Sequence, residues 1–248
     1  AAGKINVAVI LLRHLSNFTD FNVLERDERV HLYYTNNVDD ITKADIILLP
    51  GSKNTLDDLY ELRRNGVAQA ILKASQEGAT VMGICGGYQM MGLEVRDPEG
   101  VEGNVRMLPG LGLLPVITTM QGDKVTRQVE FTFDGTEALC KGYEIHMGES
   151  TISEDGANPF ARIFNTVDKT EYMDGCVRGN TAGTYMHGIF DGQEFCDSLI
   201  NMLCARYGIT SKSGVRISFD EYKQREYDKL ADVIRENMDM KYIYEIIG

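Results

Sequence analysis

Cys85 is the residue with the clearest chemical potential, because glycines surround it at the junction of an apolar run and a helix-like run. The pattern Gly83-x-Cys85-x-Gly87 has the spacing of a nucleophile elbow, with a thiol in place of the usual serine hydroxyl. A side chain on such a sharp strand-to-helix turn has strained backbone geometry and needs neighbours without bulk. The dipole of the helix that follows, expected over Tyr88–Leu93, favours a thiolate. We therefore predict that Cys85 is the nucleophile of an acyl transfer rather than a buried structural cysteine.

An acyl transfer also needs hydrogen-bond donors for the oxyanion that develops on the attacked carbonyl. In an elbow the first donor is the amide of the residue after the nucleophile, which here is Gly86. A second loop, Pro50–Thr55, follows a predicted strand at the sheet edge where ligands of open α/β folds bind. Its Gly51 or Ser52 amide would complete the oxyanion hole. The sequence contains no G-x-x-x-x-G-K-[ST] motif, so no ATP site is predicted in this chain.

A thiol nucleophile needs a base, and His187 is the best candidate among the four histidines. It follows an apolar strand-like run and precedes a glycine, and catalytic loops begin at the ends of strands. His14 and His31 are interpreted as ordinary hydrogen-bonded residues. His146 shares one face of a predicted strand with Glu144, while their neighbours point to the other face. The sequence leaves open whether His146 lines the site or only its rim.

Composition and charge exclude several classes of protein. The 248 residues carry a formal net charge of −12 and no long basic run, which argues against nucleic acid as a partner. The five cysteines include no C-x-x-C pair, so neither a disulfide framework nor a zinc site is predicted, and a reducing cytoplasm fits best. The apolar run Val7–Leu12 is too short to span a membrane. The start at Ala1 without an initiator methionine suggests an excised piece of a longer polypeptide or a processed chain.

The elements that must position these residues suggest one α/β domain over residues 1–248. Its first half carries apolar runs typical of buried parallel strands, at Ile5–Leu12, Val30–Tyr34, Ala44–Leu49 and Thr80–Ile84. Crossover helices are predicted within Leu56–Gln76, with a break near Asn65-Gly66, and later helices over Gln193–Tyr207 and Phe219–Met238. The second half is richer in turns and alternating segments, including Val125–Phe133 and Gly142–Met147. The expected fold is an open, mainly parallel twisted sheet flanked by helices, with additional antiparallel strands in the second half.

Six segments together resemble a known family, the class I glutamine amidotransferases. Within that family they are most similar to the C-terminal domain of cobyric acid synthases. The resemblance covers almost the whole chain, and the segments occur in the family's order. They are Ser16–Phe21, Leu49–Thr55, Ile84–Gly92, Gly110–Pro115, Gly142–Gly148 and Tyr185–Asp191.

The resemblance implies a glutaminase. Cys85 would attack the side-chain amide of glutamine, His187 would handle the proton, ammonia would leave, and water would hydrolyse the γ-glutamyl thioester. The ammonia would pass to an ATP-dependent synthetase domain that amidates carboxylates of cobyrinic acid a,c-diamide to give cobyric acid in cobalamin biosynthesis. That domain is expected N-terminal to this chain in the same polypeptide. ATP and Mg are expected only there, and no cofactor is expected in this chain.

The chain departs from the family's usual triad at one position. Typical members carry a glutamate two residues after the histidine, and here that position is Ile189. The cobyric acid synthase branch resembles a Cys-His dyad variant, and Asp191 or Glu144 is a candidate to orient His187 instead. The third catalytic group stays open at the level of sequence.

Several further residues are assigned to the site through the matching segments. Gln89 is expected near the substrate glutamine, although a role as a first-turn helix residue is an equal alternative. Tyr88, Tyr143, Glu144 and His146 are expected to bind glutamine or to line the site.

Two other functions fit parts of the pattern. A glutaminase with another acceptor, as in cobyrinic acid diamide synthase or lipid II amidation, would share the elbow and the histidine. A non-catalytic redox sensor or docking module would keep the cysteine without turnover. Replacing Cys85 separates the enzyme from the non-catalytic module, because only the enzyme would lose glutamine turnover.

Overall fold

The computed structural model describes residues 1–133, 139–153, 157–210 and 219–247. The chain divides into two compact units, Ala1–Ser211 and Lys212–Gly248. The second unit carries two helices, α7 (Phe219–Asn237) and α8 (Met240–Ile247). Their numbers continue from the elements of the first unit, which are described below. One domain over the full 248 residues stays a prediction.

The first half of the larger unit alternates strands and helices. Its strands are β1 (Ile5–Ile10), β2 (Leu15–Ser16), β3 (Val30–Thr35), β4 (Ile46–Leu49), β5 (Gly51–Ser52) and β6 (Thr80–Ile84). Its helices are α1 (Asn22–Glu25), α2 (Val38–Ile41), α3 (Thr55–Arg64), α4 (Val67–Gln76) and α5 (Gly86–Met91), with a 3₁₀ helix over Phe18–Phe21.

The second half of this unit consists mainly of strands. These are β7 (Glu94–Arg96), β8 (Met107–Pro109), β9 (Val116–Phe133), β10 (Cys140–Ile152), β11 (Ala161–Asn165), β12 (Glu171–Asp174), β13 (Cys176–Arg178), β14 (Thr181–Thr184) and β15 (Met186–His187). A 3₁₀ helix over Ile189–Asp191 leads into helix α6 (Gln193–Tyr207).

The main sheet has the strand order β13-β14-β6-β4-β1-β3. All neighbours in it run parallel except β13, which pairs antiparallel with β14. Helices cover both faces, since Val7 and Val9 of β1 belong to one apolar cluster while Ala8 and Ile10 belong to the other. This arrangement explains the unbroken apolar run of β4, whose four residues are all buried.

A second, mostly antiparallel sheet follows the order β12-β11-β9-β10-β15. Its longest pair is β9 with β10, and the register shifts between Met147 and Glu149. The chain leaves the main sheet after β14 and enters the second sheet at β15, with Tyr185 between the two strands. This crossing places His187 opposite Tyr143 of β10, beside the carboxyl end of β6.

The expected fold class is confirmed by this mixture of parallel and antiparallel sheets with flanking helices. The predicted break near Asn65-Gly66 is present because α3 ends at Arg64 and Gly66 adopts a φ of 85°. Strands β9 and β10 extend beyond the predicted segments, since polar residues at the solvent-facing positions continue the pairing. Among the described residues, no helix is both long and apolar enough to cross a bilayer.

Candidate active site

Cys85 lies at the turn between β6 and α5 with a backbone conformation that side chains rarely adopt, φ 53° and ψ −113°. Such a conformation costs on the order of 1–3 kcal/mol and persists only where the surroundings impose it. The surroundings do so here because a Cβ on Gly87 would lie 2.0 Å from the Leu49 carbonyl oxygen. A Cβ on Gly83 would lie 2.6 Å from the backbone carbon of Gly87. The two glycines therefore allow the close approach of strand and helix that aims the Cys85 side chain.

The Cys85 side chain faces a cavity of about 250 Å³, which we call the Cys85 cavity. The backbone N–H of Cys85 donates to the Thr184 carbonyl at 2.8 Å, and Sγ lies 3.6 Å from the Ile145 carbonyl oxygen. Cys85 is 8% exposed. Side chains from several distant segments line the cavity, among them Asn17, Thr55, Cys85, Gln89, Glu102, Lys124, His146 and His187.

His187 is fully buried and bonded to an acid from the other end of the chain. Its Nδ1 lies 2.7 Å from Oδ2 of Asp20, and the Gly188 backbone N–H donates to Asp20 Oδ1 at 3.3 Å. The ring of Tyr143 stacks on the imidazole, with 5.2 Å between the centroids and 18° between the planes. These contacts fix the orientation of the ring, and because Asp20 occupies Nδ1, Nε2 is the nitrogen left for Cys85.

The electrostatics of this group favour a charged imidazole. Burial disfavours the cation, but hydrogen bonds to Asp20 and Cys85 and the charges of both residues outweigh burial and raise the pKa of His187 to about 9. At neutral pH His187 therefore holds a proton. A protonated imidazole beside Cys85 stabilises the thiolate, which is the nucleophilic form.

The acid at His187 is thus Asp20, whereas the sequence offered Asp191 or Glu144. Glu144 forms an ion pair with Arg127 and accepts a hydrogen bond from the Tyr172 hydroxyl at 2.6 Å. Asp20 is 4% exposed and lies in the 3₁₀ helix that follows β2. It belongs to one of the segments that carry the family resemblance, but no local feature of the sequence links it to a histidine 167 positions away.

The predicted oxyanion donors come together around the elbow. A Cβ on Gly86 would lie 2.8 Å from the Ser52 backbone nitrogen, so β5 and the start of α5 are in direct contact. A Cβ on Gly51 would lie 3.3 Å from Cε1 of His187. The loop after β4 therefore brings both Gly51 and Ser52 next to the cysteine and the histidine.

Gln89 is buried and connects the elbow helix to two other elements. Its Oε1 accepts a hydrogen bond from the Thr55 hydroxyl at 3.0 Å. Its Nε2 donates to the Met147 carbonyl at 2.9 Å and to the Tyr185 hydroxyl at 3.3 Å. Gln89 lines the Cys85 cavity, and its bonds also hold α3 and β10 against α5.

Three of the residues predicted to bind glutamine or to line the site are not among those that line the Cys85 cavity, namely Tyr88, Tyr143 and Glu144. Tyr88 packs against Gly183 and meets the ring of Tyr185 edge-on at 5.2 Å. Tyr88 and Glu144 instead line a neighbouring cavity of about 440 Å³, which we call the second cavity. The pleat of β10 explains the placement of Glu144, since this strand directs alternate side chains to opposite faces and Tyr143 meets His187.

His146 lines both cavities. Its ring stacks on Tyr185 with 3.9 Å between the centroids, and its Nδ1 lies 3.1 Å from the Gly148 carbonyl oxygen. Burial lowers the pKa of His146 despite the charge of Glu144. His146 is therefore a neutral imidazole at the wall between the cavities, which answers the question that the sequence left open.

Comparisons with known proteins identify the family of this chain. The model of the CobB/CobQ-like glutamine amidotransferase domain matches residues 6–195. Cobyric acid synthase from Phocaeicola vulgatus is 58% identical over 248 residues, covering 99% of this chain and 48% of that protein. Cobyric acid synthase from Clostridium botulinum strain Langeland is 39% identical, covering 100% of this chain and 50% of that protein. The chain thus spans about half the length of the curated relatives that it matches.

Solved structures show the same fold at low sequence identity. The structure of PurLQS from Thermotoga maritima matches with a TM-score of 0.58 and 18% identity, covering 82% of this chain and 99% of that chain. A glutamine amidotransferase crystal structure matches with a TM-score of 0.57 and 15% identity, covering 80% of this chain and 98% of that chain. The predicted resemblance is confirmed: the chain belongs to the CobB/CobQ-like glutamine amidotransferase family.

Proposed function

We propose that this chain hydrolyses glutamine through a thioester on Cys85 and supplies ammonia for the ATP-dependent amidation of cobyrinic acid a,c-diamide. The product of the complete reaction would be cobyric acid, an intermediate of cobalamin biosynthesis. The observation that carries this proposal is the strained, buried Cys85 facing a His187–Asp20 pair, in a chain of this family.

In the first step the Cys85 thiolate attacks the side-chain carboxamide carbon of glutamine. A carbon–sulfur bond forms, and the π electrons of the carbonyl move to its oxygen. Backbone N–H groups around the elbow, from Gly86 and from Ser52 or Gly51, are the candidate donors for that oxyanion. They are fixed by β5 and α5, so no reorganisation is needed when the charge develops.

In the second step the tetrahedral intermediate collapses and the carbon–nitrogen bond breaks. His187 donates its proton through Nε2 to the departing nitrogen, so that ammonia leaves and a γ-glutamyl thioester remains. The imidazole is then neutral and accepts a proton from the water that hydrolyses the thioester. Asp20 keeps Nδ1 bonded throughout and stabilises the charged form of the ring.

The remaining assignments concern the longer protein. We propose that the half of the relatives' length outside this match contains the ATP-dependent synthetase domain, N-terminal to this chain, and that ATP and Mg bind there. We propose no cofactor for this chain, neither nucleic acid nor a membrane as a partner, and a cytoplasmic location. We prefer cobyrinic acid a,c-diamide over other acceptors, because relatives at 58% and at 39% identity carry the name cobyric acid synthase.

The test compares two nitrogen sources in the longer protein that carries this chain. Cys85→Ala should abolish amidation with glutamine and retain amidation with ammonium, because only thioester formation is lost. Cys140→Ala is the matched control, since Cys140 is a buried free thiol outside the Cys85 cavity and should preserve both activities. Retention of the glutamine-dependent reaction in Cys85→Ala, or loss of both reactions, would contradict the proposal.

A further inference from the structure

The Cys85 cavity contains a carboxyl group, that of Glu102, for which the steps above have no use. Glu102 lies in the loop between β7 and β8. Both Val101 and Glu102 donate their backbone N–H groups to Asp97, at 2.8 and 2.9 Å, and Asp97 is fully buried. The Asn54 side chain donates to the Glu102 carbonyl at 3.2 Å. The backbone of Glu102 is therefore held in place by contacts on both sides of the loop.

Two acceptors compete for one donor beside this carboxyl group. The Thr55 hydroxyl has a single proton but lies 3.0 Å from Gln89 Oε1 and 3.1 Å from Glu102 Oε1. The Gln89 amide has a fixed orientation, because its Nε2 donates to the Met147 carbonyl, which only accepts. The Thr55 proton is thus shared between Gln89 and Glu102, and Oε1 of Glu102 can accept from a further donor in the cavity that it lines.

Two sources of a donor other than water suit this arrangement. One is the proton of Glu102 itself: burial raises the pKa of this carboxyl group, against the lowering effect of hydrogen bonds from Leu56 and Thr55. The other is a cationic ligand in the cavity. Glu102 is only partly buried, so water also reaches its carboxyl group in the empty cavity, and a cationic ligand would displace that water.

We propose that Glu102 recognises the α-ammonium group of the substrate glutamine, whose N–H groups supply a further donor for the carboxylate in the Cys85 cavity. This inference rests on the glutaminase function proposed above.

The position of Glu102 relative to the elbow suits this role. A Cβ on Gly86 would lie 3.2 Å from the Thr55 hydroxyl, and that hydroxyl lies 3.1 Å from Glu102 Oε1. Extended glutamine spans about 5 Å between its carboxamide carbon and its α-nitrogen, given carbon–carbon bonds of ~1.5 Å. Lys53 and Lys124 also line the cavity, so it offers both signs of charge to a zwitterion.

The test uses two substrates that differ only in the α-amino group: glutamine and glutaramate, the same amide without that group. We expect Glu102→Gln to lower kcat/KM for glutamine roughly 10- to 100-fold, the usual effect of losing a hydrogen bond to a charged partner. The variant should change glutaramate hydrolysis less than about threefold, an effect within the spread of neutral surface substitutions. Gln at this position can accept from Leu56 and donate to Thr55, so the variant retains the fold and should unfold at the same or a higher urea concentration.

Glu99→Gln is the matched control, because Glu99 is exposed on the same loop and this substitution removes the same charge. It should leave both substrates unaffected. Equal losses for glutamine and glutaramate in Glu102→Gln would overturn the inference and make Glu102 a structural cap of α3. A wild-type chain that hydrolyses both substrates equally well would also overturn it. Hydrolysis of neither substrate by the wild type would overturn the proposed function itself, and this inference with it.

Discussion

The Cys85 cavity and the second cavity share His146 but differ in the partner that their buried acid contacts. Beside the Cys85 cavity, Asp20 bonds to His187, whose pKa rises to about 9, so this acid stabilises the protonated imidazole. In the second cavity, burial raises the pKa of Asp174 to about 7, although Thr184 and the Tyr185 backbone donate to it. A buried acid therefore tunes a base only where a titratable partner lies against it.

The largest effect is expected from removing that base. His187→Ala should lower kcat/KM for glutamine by roughly 10²–10⁴-fold, because neither the thiolate nor the departing nitrogen has a proton partner. Steady-state ammonia release measures this change. His31→Ala serves as the control, since His31 lies on β3 at the edge of the main sheet and should retain full activity. Unchanged kinetics in His187→Ala would remove His187 from the mechanism.

Asp20→Asn should have the next largest effect, because it keeps the shape of the side chain and removes the charge that holds the His187 proton. We expect kcat/KM to fall by roughly 10²–10³-fold, within the range that general acid–base catalysis contributes. The alkaline limb of the pH profile should move from near pH 9 to lower pH, since the charge of Asp20 raises the pKa of His187.

Asp174→Asn is the control for the pH profile of Asp20→Asn, because it removes a buried acid from the second cavity and not the acid at His187. The alkaline limb should stay in place. A limb that moves equally in both variants, or in neither, would mean that Asp20 does not tune His187.

Gly87→Ala tests the packing of the elbow through stability. The added Cβ would meet the Leu49 carbonyl oxygen at 2.0 Å, so backbone atoms must shift. Overpacking of this kind should lower the free energy of unfolding by roughly 2–3 kcal/mol, measured by urea denaturation. Gly122→Ala is the control, since nothing lies within 4 Å of its added Cβ, and it should unfold like the wild type. Equal stability of the two variants would contradict the close approach of α5 to β4.

The smallest effect concerns pH and Asp174. A carboxyl group whose pKa rises on folding stabilises the folded state below its unfolded value near 4, and this contribution is lost as the pH rises through about 7. Asp174→Asn lacks this titration. The wild type should therefore lose more unfolding free energy than the variant between pH 5 and pH 8, by about 1 kcal/mol or more. Parallel stability profiles would show that Asp174 does not titrate in this range.

The sequence predicted the parts of the molecule that depend on local chemistry. The elbow around Cys85 needs glycines next to the nucleophile, so a short segment identified it. Strand β6 and helix α6 have the predicted bounds, because apolar pattern and turn residues mark both ends of each. The family resemblance rested on the same short segments and is confirmed by the domain match.

The sequence missed what only the tertiary structure brings together. Asp20 reaches His187 because β15 crosses from the main sheet to the second sheet, and no residue spacing records that crossing. Glu102 meets Thr55 across 47 positions in the chain, because the loop between β7 and β8 lies against the start of α3. A strand pattern shows that Glu144 and Tyr143 face opposite ways but not which of the two faces the site.

The most direct test of the central claim is the covalent labelling of the chain by a diazoketone analogue of glutamine, with the adduct located by peptide-mapped mass spectrometry. The claim is that Cys85 is a glutamine-directed thiolate activated by His187 and Asp20. It predicts a single adduct on Cys85, suppressed by free glutamine and formed more slowly in Asp20→Asn. An adduct on any of the other four cysteines, or labelling of Cys85 that glutamine does not suppress, would contradict it.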